Sequence, residues 1–368
     1  MDRFIEKDGK KLRYGFTTGS CATAAAKAAT WMLHNQRKLE VIEIDTPKGW
    51  ILSIPIVDIE LTDTYAKCAV VKDAGDDPDV THGMKVFAQV CFAKDYALKG
   101  GEGIGRVTKP GLSVPVGQPA INPVPRQMIF AAVHDVLPEG KTVEVVISAP
   151  EGVEKAKKTF NPKLGIVGGL SIIGTSGIVE PMSEDALKET MRVELKMLLA
   201  SGQRDIIFAP GNYGRDYAKE NSLDDKRIVK TSNFIGFMMD EAGRQNVRSV
   251  LWIGHLGKMV KVASGIFQTH SKFADGRMET LAAHLALLEA PVGLIKAVMG
   301  SNTTDEAVDH IKDAGYMQVF DQIANAITDR CIGRVYDEVN VGTIIFTKAH
   351  GYLGSCRNAK KLEEGFKI

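Results

Sequence analysis

The chain has 368 residues, 44% of them hydrophobic and 25% charged, which is the composition of an ordinary soluble protein long enough for two domains with cores of their own. A net charge of +1 gives no electrostatic footprint for nucleic acid or an anionic membrane, so the expected partner is a small molecule. The opening MDRFIEKDGKKLRYGF has no apolar signal core, and no apolar run approaches the roughly 18 residues of a spanning helix, so a cytoplasmic location is expected.

Cys21, Cys68, Cys91, Cys331 and Cys356 are scattered without C-x-x-C spacing and read as reduced thiols, mostly in cores. The first informative segment is YGFTTGSCATAAAKAA, from Tyr14. Thr17, Thr18 and Ser20 are good N-cap residues, and the alanines after Cys21 predict a closely packed helix. Hydroxyls and unpaired N–H groups at such a helix mouth attract anions, carboxylates included; the alternative is a well-capped structural helix.

From Leu39 to Val71 the alternation is that of strands, with a turn at Pro47-Lys48-Gly49. The last of these runs into KDAGDDPDVTHG, where Asp73, Asp76, Asp77 and Asp79 precede His82. Clustered carboxylates suit a hard cation, an acid of raised pKa or a solvated turn; the spacing is not that of an EF-hand, and no metal site is assigned. A strand from Met84 leads into a long Gly- and Pro-rich segment. Its Gly101, Gly103 and Gly105 fail as a nucleotide loop because Arg106 to Pro110 cannot open a helix there. Arg106, Lys109 and Arg126 give this segment a positive charge suited to a polycarboxylate, or are surface charges on an extended loop. Pro125 then opens a helix to about Leu137, and TVEVVISAP is a strand.

The stretch LGIVGGLSIIGTSGIV, Leu164 to Val179, breaks an apolar run at glycines twice. Glycines allow positive φ and close approach to backbone, and Ser171, Thr175 and Ser176 add hydroxyls. From Gly169 the spacing is that of a P-loop, but Thr175 stands where the phosphate-binding lysine belongs; the dinucleotide fingerprint does not fit either. A tight bend between packed strands is the other reading.

Four segments, YGFTTGSCATAAAKAA, KDAGDDPDVTHG, GEGIGRVTKPGLSVPVGQPAINPVPRQMI and NPKLGIVGGLSIIGTSGIVEPMS, resemble in the same order those of the CbiD family, the cobalt-precorrin-5B C1-methyltransferases of anaerobic cobalamin biosynthesis. The similarity runs continuously from about residue 12 to residue 350. It implies S-adenosylmethionine as methyl donor and a corrinoid substrate that carries its own cobalt, with no protein-bound metal.

In the second half, Ser183 caps a helix ending at Gly202, and strand, polar loop and helix then recur twice, at RDIIFAPGNYGRDYA and SVLWIGHLGKMVKVASG. That alternation predicts a parallel sheet with ligands beyond the carboxyl ends of its strands. A capped helix start at Thr303 or Thr304 and a last strand near 342–348 complete the pattern.

The expected architecture is two domains. Residues 1–158 form an N-terminal α+β substrate domain with a mainly antiparallel sheet, and 159–368 a C-terminal Rossmann-like parallel α/β cofactor domain, with the last strand packing on either. Under the resemblance, S-adenosylmethionine lies on one rim made by Gly168, Gly169, Ser171, Gly174, Thr175 and Ser176, by Gly211 and Asn212, and by Gly254, His255 and Gly257. Thr17, Thr18, Ser20, Arg106, Lys109 and Arg126 contact the substrate, and Asp73, Asp76 and His82 are the candidates for a general base. A homo-oligomer is compatible with all of this. The competing readings are a nicotinamide-dependent corrinoid reductase, disfavoured by the missing fingerprint, and a tetrapyrrole carrier without catalysis.

Overall fold

The alanine-rich run after Thr17 forms an 18-residue helix, Thr18–Asn35, with Thr17 as N-cap accepting from Ser20 N. Ala22, Ala24, Ala25, Ala26, Ala28 and Ala29 are all fully buried. Their small side chains let the helix lie close against the strands Tyr65–Val71 and Lys85–Ala93 and against the helix Pro123–Val136. The computed structural model describes residues 3–368 and divides into two compact units between Glu184 and Asp185.

In the first unit the main sheet has the order Val57–Leu61, Tyr65–Val71, Lys85–Ala93, Thr142–Ser148, Ala97–Gly100. Its pairings are antiparallel apart from the last, where Thr142–Ser148 runs parallel to Ala97–Gly100. Val143, Val145 and Ile147 alternate inward and are fully buried, the period-2 signature of a sheet with one face in the core.

The second unit also holds a five-stranded sheet, in the order Ile228–Lys230, Asp205–Ala209, Ser249–His255, Asn340–Thr347, Gly351–Ser355. The first four strands are parallel and the last is antiparallel. Val250, Leu251, Trp252 and Ile253 are consecutive and all fully buried, which requires cover on both faces of the sheet. Phe208 and Trp252 meet edge to face at 5.1 Å in this core.

The chain is thus mixed α/β with sheets of mixed orientation. The division does not fall at the expected 158/159, because the glycine stretch is bound into the first unit. Ile166–Val167 pairs antiparallel with Arg106–Val107, and Ile178–Val179 with Gly15–Phe16. The expected last strand, found at Asn340–Thr347, pairs with Ser249–His255 in the second unit. Among the described residues, no helix is long and apolar enough to cross a membrane.

Candidate functional site

In the second unit the strand Asp205–Ala209 has the next strand in sequence on one side and the third, Ser249–His255, on the other. The winding direction reverses between Asp205–Ala209 and Ser249–His255, and in sheets of this kind ligands bind beyond the carboxyl ends at such a point. The loops there are Pro210–Tyr213 and His255–Lys258. They are locked together: Lys258 Nζ donates to Pro210 O at 2.7 Å, and a side chain at Gly214 would collide with the Ile253 carbonyl. The helix Asn212–Glu220 begins at Gly211 with no side-chain cap, so its first N–H groups face the loop. Lys230 Nζ holds Asn212 Oδ1 at 2.8 Å.

His255 caps the helix Leu256–Ala263, its Nδ1 accepting from Gly257 N at 3.2 Å. Burial lowers its pKa, against an opposing pull from Asp305. The ring is therefore neutral at pH 7, with Nδ1 used as acceptor and Nε2–H left as donor. The helix Thr304–Asp313 brings Thr304 and Asp305 to the same place, with Thr304 Oγ1 3.4 Å from where a side chain on Gly257 would begin. Asp305 Oδ1 is buried without a hydrogen-bond partner, as is Thr231 Oγ1 just after Ile228–Lys230. Unmatched buried oxygens are costly in a finished structure and ordinary where a ligand completes them. Tyr213 is 53% exposed, 6.0 Å from the His255 ring and with Lys348 Nζ 5.8 Å from its own.

The first unit builds a different cluster. Arg13 grips Asp73 through Nη1–Oδ2 at 2.6 Å and Nη2–Oδ1 at 2.8 Å, and that hydrogen bonding holds the Asp73 carboxyl below its usual range. Asp76 accepts from Arg13 N, Asp77 from Met182 N, and Asp79 pairs with the buried Lys72 at 2.9 Å. For Asp79 burial opposes the charge, but Lys72 and Thr81 outweigh it and its pKa is lowered. His82 Nδ1 accepts from Ala74 N at 3.1 Å. The aspartate loop is thus a clasp tying together residues distant in sequence. Asp73, ion-paired on both oxygens, is a weak base.

The glycine stretch closes the helix mouth. Thr18 Oγ1 accepts from Ile173 N at 2.9 Å, Gly19 N donates to Ile173 O at 2.9 Å, and Ser20 Oγ donates to Gly177 O at 2.6 Å. Protein carbonyls take the place the sequence suggested for an anion. Arg126 Nε donates to Ile121 O at 2.8 Å, Arg106 Nη1 donates to Gly117 O, and Lys109 lies along Gly165. The two arginines fasten their own loop.

With both clusters described, the chain can be set beside known proteins. The CbiD family model matches residues 5–181, and that for the CbiD C-terminal domain matches residues 268–357. A cobalt-precorrin-5B C(1)-methyltransferase of Alkaliphilus metalliredigens (strain QYMF) is 53% identical over 367 residues, covering 99% of this chain and 97% of that protein. The chain belongs to the CbiD family. The protein of the same description from Thermoanaerobacter sp. (strain X514) is 49% identical, covering 96% of this chain and 98% of its own. The crystal structure of cobalamin biosynthesis protein cbiD from Archaeoglobus fulgidus is 25% identical and covers 73% of this chain and 86% of its own at a TM-score of 0.39, too loose a likeness to carry an argument.

In this CbiD chain the first family segment ends three residues before the division between the units, 181 against 184. Of the expected cofactor residues, Gly211, Asn212, Gly254, His255 and Gly257 come together at the carboxyl rim of the second unit. Gly168, Gly169, Ser171, Gly174, Thr175 and Ser176 belong instead to the first, where Gly169 packs on Gly103 and Gly174 on Thr17. Asp305, Thr231 and Tyr213 were not anticipated from sequence; an acidic residue at the capped helix start was visible, but not its approach to His255. Among the described residues no group of three or more His, Cys, Asp or Glu is arranged to hold a metal. The thiols of Cys21, Cys68 and Cys331 are pushed up to about 12 by burial and are unreactive.

Proposed function

We propose that this chain is an S-adenosylmethionine-dependent methyltransferase acting at C1 of cobalt-precorrin-5B in cobalamin biosynthesis. The observation that carries the reading is a relative of that description matching 99% of the chain at 53% identity. The cobalt is part of the substrate, and a cytoplasmic setting goes with the reading.

The second unit is read as a Rossmann-like cofactor domain with its site at the carboxyl rim. The donor set there fits the cofactor. The uncapped N–H groups after Gly211 suit a carboxylate, Asp305 Oδ1 and Thr231 Oγ1 suit hydroxyls, and the exposed face of Tyr213 suits a flat base. When bound, S-adenosylmethionine supplies an electrophilic methyl group. What the protein adds is alignment: the Lys258 to Pro210 bond fixes the two loops, and His255, its Nδ1 taken by Gly257 N, would offer Nε2–H as a donor at the rim.

The test is anaerobic incubation of the protein with cobalt-precorrin-5B and methyl-labelled S-adenosylmethionine, reading product mass and the labelled carbon. Protein-dependent label at C1 is expected. Tight corrinoid binding with no label, on substrate shown to be competent, overturns the reading in favour of a carrier.

A further inference from the structure

Three cations from separate parts of the first unit converge on two aromatic rings and one carboxylate. Arg3 Cζ lies 4.1 Å from the centre of the Trp50 ring. Lys48 Nζ lies 4.9 Å from that ring and 5.1 Å from the ring of Tyr14. The two rings meet edge to face at 5.1 Å. Glu180, directly after the glycine stretch, takes Lys7 at 2.9 Å and Lys48 at 3.8 Å. The turn bearing Lys48 is tied to the same stretch by Lys48 N donating to Ser176 O at 3.2 Å.

Lys7 donates also to Pro181 O and Met182 O. The neighbouring Arg13 is matched by Asp73. Among the described residues Glu180 is the carboxylate paired with Lys7 and Lys48, and Lys7 spends its N–H groups on Glu180 and the two carbonyls, so Arg3 and Lys48 are the cations left beside a partly exposed tryptophan. Ring faces hold the guanidinium and one ammonium in place while their outward N–H groups keep capacity for acceptors, so little side-chain freedom remains to be lost when an anion arrives.

We infer that Arg3 and Lys48, held by Tyr14 and Trp50, form a recognition surface for the peripheral carboxylates of a flat tetrapyrrole-type polycarboxylate. The inference rests on the functional reading above and extends it: it assigns to the first unit a substrate surface made of cations other than Arg106 and Arg126, which the fold uses internally. It also gives the glycine stretch a part, since that stretch seats both Lys48 and Glu180. Two charges in one patch favour a ligand with several carboxylates over a singly charged one.

The test is equilibrium binding of cobyrinic acid, a stable cobalt corrinoid with seven carboxylates, to the full chain, with its uncharged heptamethyl ester as control. Binding is read by calorimetry and by quenching of tryptophan emission, with W50F separating Trp50 from the other two tryptophans. The parent protein is expected to bind the acid, more weakly as salt rises, and to prefer it to the ester at least tenfold. The double variant Arg3→Gln, Lys48→Gln should lose at least tenfold in affinity for the acid and little for the ester. Lys48→Arg should retain binding, and Glu180→Gln should tighten it. Equal affinity of parent and double variant for the acid, no preference over the ester, or no binding by the folded parent overturns the inference. Methyl transfer by the parent is scored separately, so loss of this surface and failure of the methyltransferase reading give different results.

Discussion

Gly174 sits at φ +134, and a side chain there would begin 2.5 Å from Thr17 Cβ and 2.6 Å from Thr17 Cγ2. Gly174→Ala therefore carries two costs. Holding a non-glycine residue in that backbone region costs about 1–3 kcal/mol. Forcing a methyl group into Thr17 costs about 1–3 kcal/mol more, since Thr17 is the N-cap of Thr18–Asn35 and cannot move without loosening the helix start. A loss of about 4 kcal/mol is expected. Gly168→Ala is the matched control: its φ is +85 but nothing lies within 4 Å, so only the backbone cost applies. With two units a single unfolding curve is not a safe measure. Native-state hydrogen exchange of Thr18–Asn35 in dilute urea reads the affected unit, and Ser249–His255 in the second unit serves as reference. If Gly174→Ala loses no more protection in the helix than Gly168→Ala, the contact with Thr17 carries none of the assigned energy.

Lys72 is 1% exposed and pairs with Asp79, so Lys72→Met should cost about 3 kcal/mol by stranding a half-buried carboxylate, with the Lys72→Met, Asp79→Asn pair costing less than the sum of the singles in denaturant titration. Because Arg13 lowers the pKa of Asp73, their pairing stabilises the fold above the ordinary carboxylate value of 3.8 and is lost as pH falls through the lower folded value; Arg13→Gln should flatten the acid limb of the stability profile in that window. His255 has a lowered pKa, so its contribution is complete above the ordinary 6.5 and fades as pH falls through the folded value. Asp305→Asn removes the charge that opposes this lowering: the His255 titration followed by NMR should move further down, and affinity for S-adenosylhomocysteine should drop about tenfold; an unmoved titration contradicts the proximity of the two groups.

Much of the local structure was legible because it rests on patterns a few residues long. Thr17 before an alanine run specified a capped helix, the apolar run Val250–Ile253 a strand buried on both faces, and Thr303 the start of Thr304–Asp313. The loops at Gly211 and at Gly254–Gly257 could be picked out because each follows such a strand, and the parallel pairing then brings them side by side. What local pattern could not contain was pairing across the chain. Nothing near Leu164 says that Ile178–Val179 will pair with Gly15–Phe16, yet that pairing turns two apparent anion-binding hydroxyls, those of Thr18 and Ser20, into fastenings. Nothing near Asp73 reveals Arg13, which makes a candidate base into a held carboxylate. Charge itself is visible residue by residue, but whether a cation is satisfied depends on which carbonyls and carboxylates the fold brings within about 3 Å of it. The sequence by itself therefore determined the elements and the family, while the tertiary structure decided which of the polar groups are used internally and which still face outward.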